Sequence, residues 1–344
     1  MQAVALTGIR KMKFINQEKP QITNPNDVLI EVKSIGVCGS DMHYYKEGNI
    51  GDQVVKFPFV VGHEFSGVIS EVGTDVKGLK IGDRVAVDPN IYCGECDQCK
   101  AGRPHTCRHQ KFLGCPGQME GCNKPYVVMP AKNCFILPDN LSFDDGMLIE
   151  PLSIGVYAVK RAGDVKGLNV AIWGYGPIGM CVHEALNMNG VGTVMVSDNL
   201  EPRCNIAKKH GTELVIDASI QDAQTHFMEH RPEQVDIAFE CCGNQEALNE
   251  ALHCIKPGGK LVIVGIPDFD SWMMSAEILR RREITVINIR RQNHCEQIAI
   301  DALSQEKINL SDMITHRAPL SEAGKIYEMV AEYEDGVMKA VLYP

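Results

Sequence analysis

The stretch Asn169-Val170-Ala171-Ile172-Trp173-Gly174-Tyr175-Gly176-Pro177-Ile178-Gly179 decides the fold of the second half of the chain. An apolar strand runs straight into a GxGxxG turn, and a helix-compatible segment follows the turn. The first glycine makes the turn, the second lets backbone approach a pyrophosphate, and the third allows the helix to pack closely. Because the motif has its strand before it and its helix after it, Gly174, Gly176, Pro177, Ile178 and Gly179 are predicted to bind a dinucleotide.

Asp198 closes the next apolar stretch, 24 residues after Gly174. A carboxylate at this position can accept a hydrogen bond from the ribose 2′-OH and would repel a 2′-phosphate. The sequence therefore predicts NAD rather than NADP. The alternative interpretation is that the glycines form a structural turn and that Asp198 is an ordinary surface residue.

The chain reads as two domains of different texture, and its 344 residues agree with a prior of about 100 to 200 residues per domain. The first 135 residues carry short strand patterns between glycine turns, at 28–32, 66–72 and 84–88. From Leu168 onward, helical stretches alternate with six apolar strands, at 170–173, 194–197, 214–216, 235–239, 261–264 and 284–289. This alternation predicts an α/β fold with a doubly wound parallel sheet of six strands. The remaining residues begin like a helix, and 339–343 could be a strand that returns to the first domain.

Composition excludes several classes of function. The formal net charge of -10 opposes binding to nucleic acid or to an acidic membrane, since phosphate groups attract clustered Lys and Arg. The first 19 residues lack the features of a secretory signal, and no apolar run approaches the roughly 18 residues that span a bilayer. We therefore expect a cytoplasmic protein whose partners are small molecules or copies of itself, without nucleic-acid or membrane partners. The 14 cysteines then indicate metal ligands or buried thiols rather than disulfides.

Four of the cysteines, Cys93, Cys96, Cys99 and Cys107, lie within 15 residues. Glycines and a proline between them let the backbone fold around one ion, and four thiolates with no open position describe a structural zinc site. A redox CxxC pair would leave two thiols unexplained, and a nucleic-acid-binding zinc ribbon conflicts with the acidic charge. The nearby His105 and His109 are interpreted as surface residues.

A second set of metal-ligating residues is dispersed over the first half of the chain. It comprises Cys38, the pair His63-Glu64, and Glu150 before Pro151. Each residue alone is more often a buried thiol, a core or surface histidine, or a solvated carboxylate. Together, in the β-rich half ahead of a dinucleotide fold, they are what a catalytic zinc with an exchangeable position requires.

With these motifs in place, the chain resembles the zinc-containing medium-chain dehydrogenases, and within them the sorbitol and xylitol (polyol) dehydrogenase branch. The resemblance runs from Val28 to the end of the chain and depends on six motifs taken as a set. They are Cys38-Gly39-Ser40-Asp41 with His43-Tyr44, Gly62-His63-Glu64, Gly82-Asp83-Arg84-Val85-Ala86, Leu148-Ile149-Glu150-Pro151-Leu152-Ser153, Gly174 to Met180, and Thr315-His316-Arg317. The alcohol dehydrogenase branch has a second Cys where Glu150 stands, so this Glu favours polyols.

The resemblance implies a β-rich, GroES-like catalytic domain over residues 1–152 and 292–344, and a Rossmann NAD-binding domain over 153–291. It implies two zinc ions and NAD as cofactors. Cys38, His63 and Glu64 would hold the catalytic zinc, and Glu150 would either ligate it or act through a water molecule. The reaction implied is hydride transfer from a secondary alcohol of a polyol to NAD, which gives a ketose. A homo-oligomer, most simply a tetramer, is also implied.

The same resemblance assigns further residues to the site. Ser40 and Glu150 are candidates for the proton relay, with His43 further out, and Tyr44 and Arg290 would contact substrate hydroxyls. On the cofactor side the residues implied are Arg203 at the adenosine ribose and, toward the nicotinamide, Val264, Gly265, Ile266, Asn288, Ile289 and Arg290.

Two departures from the family pattern limit what the resemblance implies, and the first of them leaves the substrate open. Arg291 stands where the sorbitol enzymes tend to have Tyr, and a second cation beside Arg290 could favour a sugar acid such as an aldonate (idonate or galactonate). Threonine is a further possible substrate, and a non-enzymatic cofactor-sensing or zinc-binding module is a third interpretation.

Cys115 and Cys122 lie in a segment expected to face the substrate, where they have no assigned role beyond that of buried thiols.

Overall fold

The computed structural model describes every residue from 1 to 344. Its contacts divide the chain into two compact units. The first unit comprises Met1–Pro151, Glu296–Glu306 and Ile314–Pro344, and the second comprises Leu152–Cys295 and Lys307–Met313. None of the helices combines the length and the apolar character needed to cross a membrane.

The N-terminal part of the first unit is mainly β-structure joined by short turns. Its strands are β1 (Gln2–Gly8), β2 (Lys11–Asn16), β3 (Asp27–Gly36), β4 (Asn49–Ile50), β5 (Gln53–Val54), β6 (Glu64–Val72), β7 (Arg84–Val87), β8 (Asn90–Ile91), β9 (Lys111–Phe112), β10 (Tyr126–Pro130) and β11 (Cys134–Ile136). Its helices are α1 (Gly39–Lys46), α2 (Asp97–Lys100) and α3 (Phe143–Ala162), of which α3 continues into the second unit. The three strand patterns expected in this half are confirmed by β3, β6 and β7.

The second unit is built on strands that alternate with helices. The strands are β12 (Asn169–Trp173), β13 (Thr193–Asp198), β14 (Leu214–Asp217), β15 (Val235–Glu240), β16 (Ile255–Ile263) and β17 (Thr285–Asn288). The helices are α4 (Pro177–Met188), α5 (Glu201–Lys209), α6 (Ala223–His230), α7 (Gln245–Cys254) and α8 (Ala276–Arg281). All strand pairs are parallel, in the order β14-β13-β12-β15-β16-β17. The predicted doubly wound sheet of six parallel strands is confirmed.

The remaining elements are α9 (Glu296–Ser304), β18 (Ile314–Pro319), α10 (Ala323–Ala331) and β19 (Lys339–Tyr343), all in the first unit. The main sheet of this unit has the strand order β11-β7-β6-β3-β19-β18, and β10 also pairs with β3. Val341 and Leu342 of β19 pair antiparallel with Gly36 and Ile35 of β3. The C-terminal strand therefore returns to the sheet of the first domain, as the sequence suggested.

Residues 307–313 depart from the expected boundary, because they pack with the second unit. The backbone N–H of Asn309 donates to Glu184 Oε2 at 2.8 Å. His210 Nε2 and Lys209 Nζ lie 3.4 and 3.6 Å from the carboxylate of Asp312. These contacts hold a short segment of the C-terminal region against α4 and α5.

Candidate functional site

The four clustered cysteines converge on a common centre. Cys93 Sγ lies 3.4 Å from Cys107 Sγ and 3.9 Å from Cys99 Sγ. Cys96 Sγ lies 3.6 Å from Cys99 Sγ and 3.8 Å from Cys107 Sγ. Tetrahedral zinc–sulfur bonds of about 2.3 Å place the sulfur atoms about 3.8 Å apart. The four thiols therefore fit one zinc ion.

Backbone N–H groups point at the sulfur atoms of this cluster. Those of Cys96 and Cys93 donate to Cys93 Sγ and Cys107 Sγ at 3.4 Å, and that of His109 donates to Cys107 Sγ at 3.3 Å. Backbone donors from Cys99 and Arg108 lower the pKa of Cys96 to about 6. Such hydrogen bonds stabilise thiolates, which are the form that binds a metal. His109 is exposed as expected, whereas the prediction for His105 is wrong, since its side chain is buried.

The dispersed ligand set is brought together where two strands of the main sheet begin or end. Cys38 caps the N-terminus of α1, just after β3, and His63-Glu64 leads into β6. The ligand atoms of Cys38, His63 and Glu64 all lie within 4.8 Å of one another. His63 and Glu64 are buried and Cys38 is partly exposed, so the cluster fits an ion with one side open.

Gly36 gives Glu64 room to reach this cluster. The two residues are directly paired across β3 and β6. A Cβ atom on Gly36 would lie 2.2 Å from Glu64 Oε2 and 2.4 Å from Met147 Sδ. Any larger side chain would therefore displace a candidate ligand, a requirement that the sequence analysis missed.

Asp41 lies behind His63, with its carboxylate facing the imidazole. Its carboxylate is fully buried, and Oδ1 is 3.6 Å from His63 Nδ1, while Oδ2 accepts a hydrogen bond from the Cys38 backbone N–H at 3.2 Å. Burial alone would lower the pKa of His63, but the Cys38 thiol and Asp41 raise it well above its usual value. A carboxylate behind a histidine ligand is a common way to fix the ring's orientation at a metal site.

Glu64 also has a partner that the sequence did not indicate. Lys339 Nζ donates to Glu64 Oε1 at 2.8 Å and to Oε2 at 2.7 Å. Both side chains are buried, at 2% and 1% exposure. The pair is separated by 275 positions in the chain and meets because β19 lies beside β3.

Glu150 stands in the middle of α3 and is buried. Burial, partly offset by His63, raises the pKa of the Glu150 carboxyl to about 7. Glu64 acts in the same direction as burial, and Lys339 acts in the opposite one. Glu150 therefore interacts electrostatically with His63 and Glu64 of the dispersed cluster. Its carboxylate is not among the three groups whose ligand atoms lie within 4.8 Å of one another.

The residues around α1 occupy different depths. Ser40 Oγ donates to Cys38 Sγ at 3.3 Å, and His43 follows one turn later at the partly exposed surface of the helix. Tyr44 is buried, and its hydroxyl donates to Gln53 Oε1 at 2.8 Å and lies 3.9 Å from Cys115 Sγ. Gln53 in β5 was not anticipated, because nothing in its sequence context marks it.

Cys115 and Cys122 are both buried thiols. Cys122 Sγ lies 4.0 Å from the Glu64 carbonyl oxygen, and burial raises the pKa of this thiol well above its usual value. The segment that carries them packs on the backbone before His63, with the Cys122 N–H donating to the Gly62 carbonyl at 2.9 Å. Its structural effect is to hold the approach to His63 in place.

In the second unit, the GxGxxG residues form the turn that the motif predicts. Gly174 has a φ of +90°, which a residue with a side chain rarely adopts. A Cβ on Gly179 would lie 2.0 Å from the Gly174 carbonyl oxygen. Pro177 and Ile178 begin α4, and Pro suits the first turn because its missing N–H has no partner there. The turn leaves room for backbone to meet a pyrophosphate at the helix N-terminus.

Asp198 ends β13 and is buried rather than a surface residue. Its Oδ2 accepts a hydrogen bond from the Tyr175 N–H at 2.6 Å and its Oδ1 from the Leu200 N–H at 2.8 Å. Arg203 Nη1 lies 4.0 Å from Asp198 Oδ2 and 3.2 Å from the point a Cβ on Gly176 would occupy. Asp198, Arg203 and the glycine turn thus lie beside one another.

The other residues predicted to meet the cofactor share the same edge of the parallel sheet. Val264, Gly265 and Ile266 follow β16, Asn288 ends β17, and Ile289 and Arg290 come next. Ile263 and Asn288 are paired in register, so these segments leave the sheet side by side. Ligands of open α/β sheets bind at this carboxyl edge. Arg290 is exposed, and Arg291 is partly buried with a φ of +52°.

Two buried residues that support this edge were missed. Tyr175, inside the glycine motif, has its hydroxyl 2.8 Å from His183 Nδ1 on α4. Glu240 Oε1 accepts hydrogen bonds from the N–H groups of Cys242 at 2.8 Å and Gly243 at 2.6 Å. The sequence signal for Glu240 was present, since an acid at the end of an apolar strand needs buried donors.

Comparisons with known proteins agree with both halves of this arrangement. Residues 24–139 match the family described as "Alcohol dehydrogenase GroES-like domain", and residues 177–305 match "Zinc-binding dehydrogenase". The chain belongs to the zinc-binding dehydrogenases. Similar proteins include the sorbitol dehydrogenase of Bacillus subtilis (strain 168), 36% identical over 100% of this chain and 97% of that protein. The L-idonate 5-dehydrogenase of Vitis vinifera is 35% identical over 93% of this chain and 88% of that protein.

Among solved structures, a zinc-binding dehydrogenase of Sinorhizobium meliloti 1021 bound to NADP is similar to this dehydrogenase. It has a TM-score of 0.90 and 29% identity, and the match covers 100% of this chain and 99% of the other. The predictions of the polyol dehydrogenase branch, the fold class, an oxidoreductase, and zinc with a nicotinamide cofactor are confirmed.

Proposed function

We propose that this dehydrogenase transfers hydride from a secondary alcohol of a polyol of the sorbitol or xylitol type to NAD, and so forms a ketose. The observation that carries the proposal is the convergence of Cys38, His63 and Glu64 within 4.8 Å in a chain that also has the dinucleotide turn. In this assignment the catalytic domain comprises residues 1–152 and 292–344, and the NAD-binding domain comprises 153–291.

The dispersed cluster is assigned to the catalytic zinc. Cys38, His63 and Glu64 would hold the ion, and Glu150 would ligate it directly or through a water molecule. The four-cysteine cluster would hold the structural zinc. When bound, zinc supplies a Lewis acid that makes the alcohol easier to deprotonate, and NAD supplies the hydride acceptor.

The chain's own residues then have to orient the alcohol and carry its proton away. Ser40 Oγ lies next to the Cys38 thiol, and its lone pairs can accept the hydrogen of a substrate hydroxyl while its own hydrogen passes to the next acceptor of the relay. His43, three residues further along α1 on the same side of the helix, would be the group that takes this proton and passes it toward solvent. The Glu150 carboxyl, whose burial favours the protonated form, is the other candidate for this relay.

Two assignments concern recognition of the polyol. Tyr44 and Arg290 remain the proposed substrate contacts. The hydrogen bond from Tyr44 to Gln53 supports a role for Tyr44 in fixing the wall of the site. The similarity to a sorbitol dehydrogenase over the full chain supports a polyol as substrate.

NAD is proposed over NADP because of Asp198. Its buried carboxylate already receives two backbone N–H groups and still has lone pairs for ribose hydroxyls. A 2′-phosphate placed there would meet a fixed negative charge. Arg203, whose guanidinium lies beside Gly176 of the glycine turn, would contact the adenosine ribose.

A sugar acid is the second candidate substrate. The consecutive arginines Arg290 and Arg291 favour a carboxylate, and one of the similar proteins is an L-idonate 5-dehydrogenase. Arg291→Tyr separates the two cases. Loss of activity confined to aldonates supports the acid, and an unchanged profile removes it.

The test is an NADH-absorbance screen of purified enzyme against sorbitol, xylitol, aldonates and threonine, with NAD and NADP supplied separately. We expect polyol oxidation with NAD and two zinc ions per chain by metal analysis. Activity restricted to threonine, or a zinc content of one, would contradict the proposal. We also propose that the enzyme is a homotetramer and that it is located in the cytoplasm. The mass of the enzyme in solution tests the first point, and fractionation of cells tests the second.

A further inference from the structure

Lys339 is a buried cation in contact with the dispersed cluster. It is the first residue of β19, and its side chain is 2% exposed. Its ammonium donates to both carboxylate oxygens of Glu64 and lies 3.3 Å from the Val37 carbonyl oxygen. Val37 immediately precedes Cys38, so the ammonium links the backbone next to one candidate ligand with the side chain of another, Glu64.

A buried ion pair of this kind is weak evidence of a purely stabilising role. Removing two charges from water costs about as much as their attraction returns, and well-packed apolar side chains often serve stability as well. The partner of Lys339 is also a residue proposed to bind zinc. A cation and a zinc ion would therefore draw on the same carboxylate.

We propose that Lys339 is a positioning residue that shares the Glu64 carboxylate with the catalytic zinc and thereby limits how much negative charge reaches the ion. The inference rests on the proposed zinc site. Cys38, Glu64 and Glu150 can together contribute three negative charges, and Lys339 supplies one positive charge among them. Less donated charge leaves the ion more loosely held and better able to polarise an alcohol.

Charge removal should therefore have an unusual signature. With Lys339→Met, Glu64 is released entirely to the ion, so zinc binds more tightly while turnover falls. A merely structural role for Lys339 also gives slower turnover, but together with weaker zinc binding. Two charges at contact distance inside a protein interact strongly, so we expect zinc affinity to rise by about tenfold or more.

The experiment uses the full-length holoenzyme and four variants. They are Lys339→Met, Lys339→Arg, Glu64→Gln, and the double variant with Lys339→Met and Glu64→Gln. Lys33→Met is the matched control, because Lys33 lies on the neighbouring strand β3 and pairs with Glu31 at the surface. Zinc affinity is measured by competition with a chelator of known strength, with metal analysis of the protein, and the visible spectrum of the cobalt-substituted enzyme reports the ligand set.

The expected result is tighter zinc binding and an altered cobalt spectrum in Lys339→Met, with Lys339→Arg and Lys33→Met close to the parent enzyme. In the Glu64→Gln background, Lys339→Met should change zinc affinity by less than about twofold, because the shared carboxylate is gone. Unchanged or weaker zinc binding in Lys339→Met overturns the inference. So does an equal effect of Lys339→Met in both backgrounds.

Failure of this inference can be told apart from failure of the proposed function. A parent enzyme with only one zinc ion overturns the zinc site and the inference with it. A parent enzyme with two zinc ions and a Lys339→Met variant of unchanged zinc affinity overturns the inference alone. If Lys339→Met does not fold, the double variant, which lacks both charges, is compared with Glu64→Gln instead. A difference in zinc affinity of more than about twofold between these two variants then overturns the inference.

Discussion

The two candidate metal clusters of the first unit differ in how the chain builds them. The four-cysteine cluster draws its ligands from 15 consecutive residues and surrounds them with backbone N–H groups. The dispersed cluster draws on residues from Cys38 to Glu150, mixes sulfur, nitrogen and oxygen, and buries a carboxylate and an ammonium together. The first can form from local structure alone, whereas the second needs the sheet to be complete.

This difference separates stability from reactivity. Four thiolates leave an ion no open position, so a cluster of that kind contributes to folding. A mixed set of three ligands leaves the ion a coordination position for substrate, and the buried charged residues that contact the ligands can adjust how strongly the ion is held. Four substitutions would test that division.

Replacement of a dispersed ligand should have the largest effect. In His63→Ala, turnover should fall by about 1000-fold or more, since a Lewis acid contributes several kcal/mol. Zinc content should drop from two ions to one, while thermal unfolding stays cooperative. Steady-state kinetics and metal analysis measure both quantities. Substantial turnover with a single remaining zinc ion would mean that the clusters have the reverse roles.

Ser40→Ala should be next. If the Ser40 hydroxyl relays the substrate proton, its removal should lower kcat by about 100-fold while both zinc ions stay bound. Ser40→Thr is the matched control, because it retains a hydroxyl and should recover most of the rate. Equal rates for Ser40→Ala and Ser40→Thr would remove Ser40 from the relay.

Asp41→Asn should show the contribution of the layer behind the ligands. The amide keeps the shape of the side chain but loses the charge that faces His63 at 3.6 Å. We expect zinc affinity at the dispersed site to fall by about 10-fold to 100-fold, with the four-cysteine site unaffected. Chelator competition followed by metal analysis distinguishes the two ions. Loss of zinc from both sites would indicate general unfolding instead.

Cys107→Ser should change turnover least. One zinc ion should be lost, and the thermal midpoint should fall by roughly 5 °C or more, because a structural site contributes to folding. At 25 °C the rate per folded molecule should stay within about threefold of the parent enzyme, as this site carries no chemistry. Differential scanning calorimetry and initial rates are the measurements. A rate as low as that of His63→Ala would abolish the distinction drawn between the clusters.

The sequence predicted features that are local and missed those that depend on distant neighbours. The glycine turn, Asp198 at a strand end and the four cysteines each carry their signal within a short window, and the structure assembles them as expected. Lys339 could not be paired with Glu64 from the sequence, because 275 positions separate them and β19 gives no sign of which strand it joins.

Burial was the other property that the sequence could not settle. His105 was expected at the surface because four cysteines already saturate one ion and leave the histidine no role as a ligand, yet its side chain is buried. The requirement for glycine at position 36 was also invisible. Gly36 is one of 31 glycines, and only its pairing with Glu64 shows that a side chain there would displace a ligand.

The place of β19 in the sheet has a consequence for biosynthesis. This strand, Lys339–Tyr343, lies between β3 and β18 in the interior of the main sheet. The earlier strands of the first unit leave the ribosome before it, so the main sheet stays incomplete until β19 has been made. We expect the four-cysteine cluster to load zinc on nascent chains that lack β19, and the dispersed cluster to load zinc only once β19 has joined the sheet. Stalled chains that end before residue 339 should accordingly carry one zinc ion, and a second ion on such chains would refute this order.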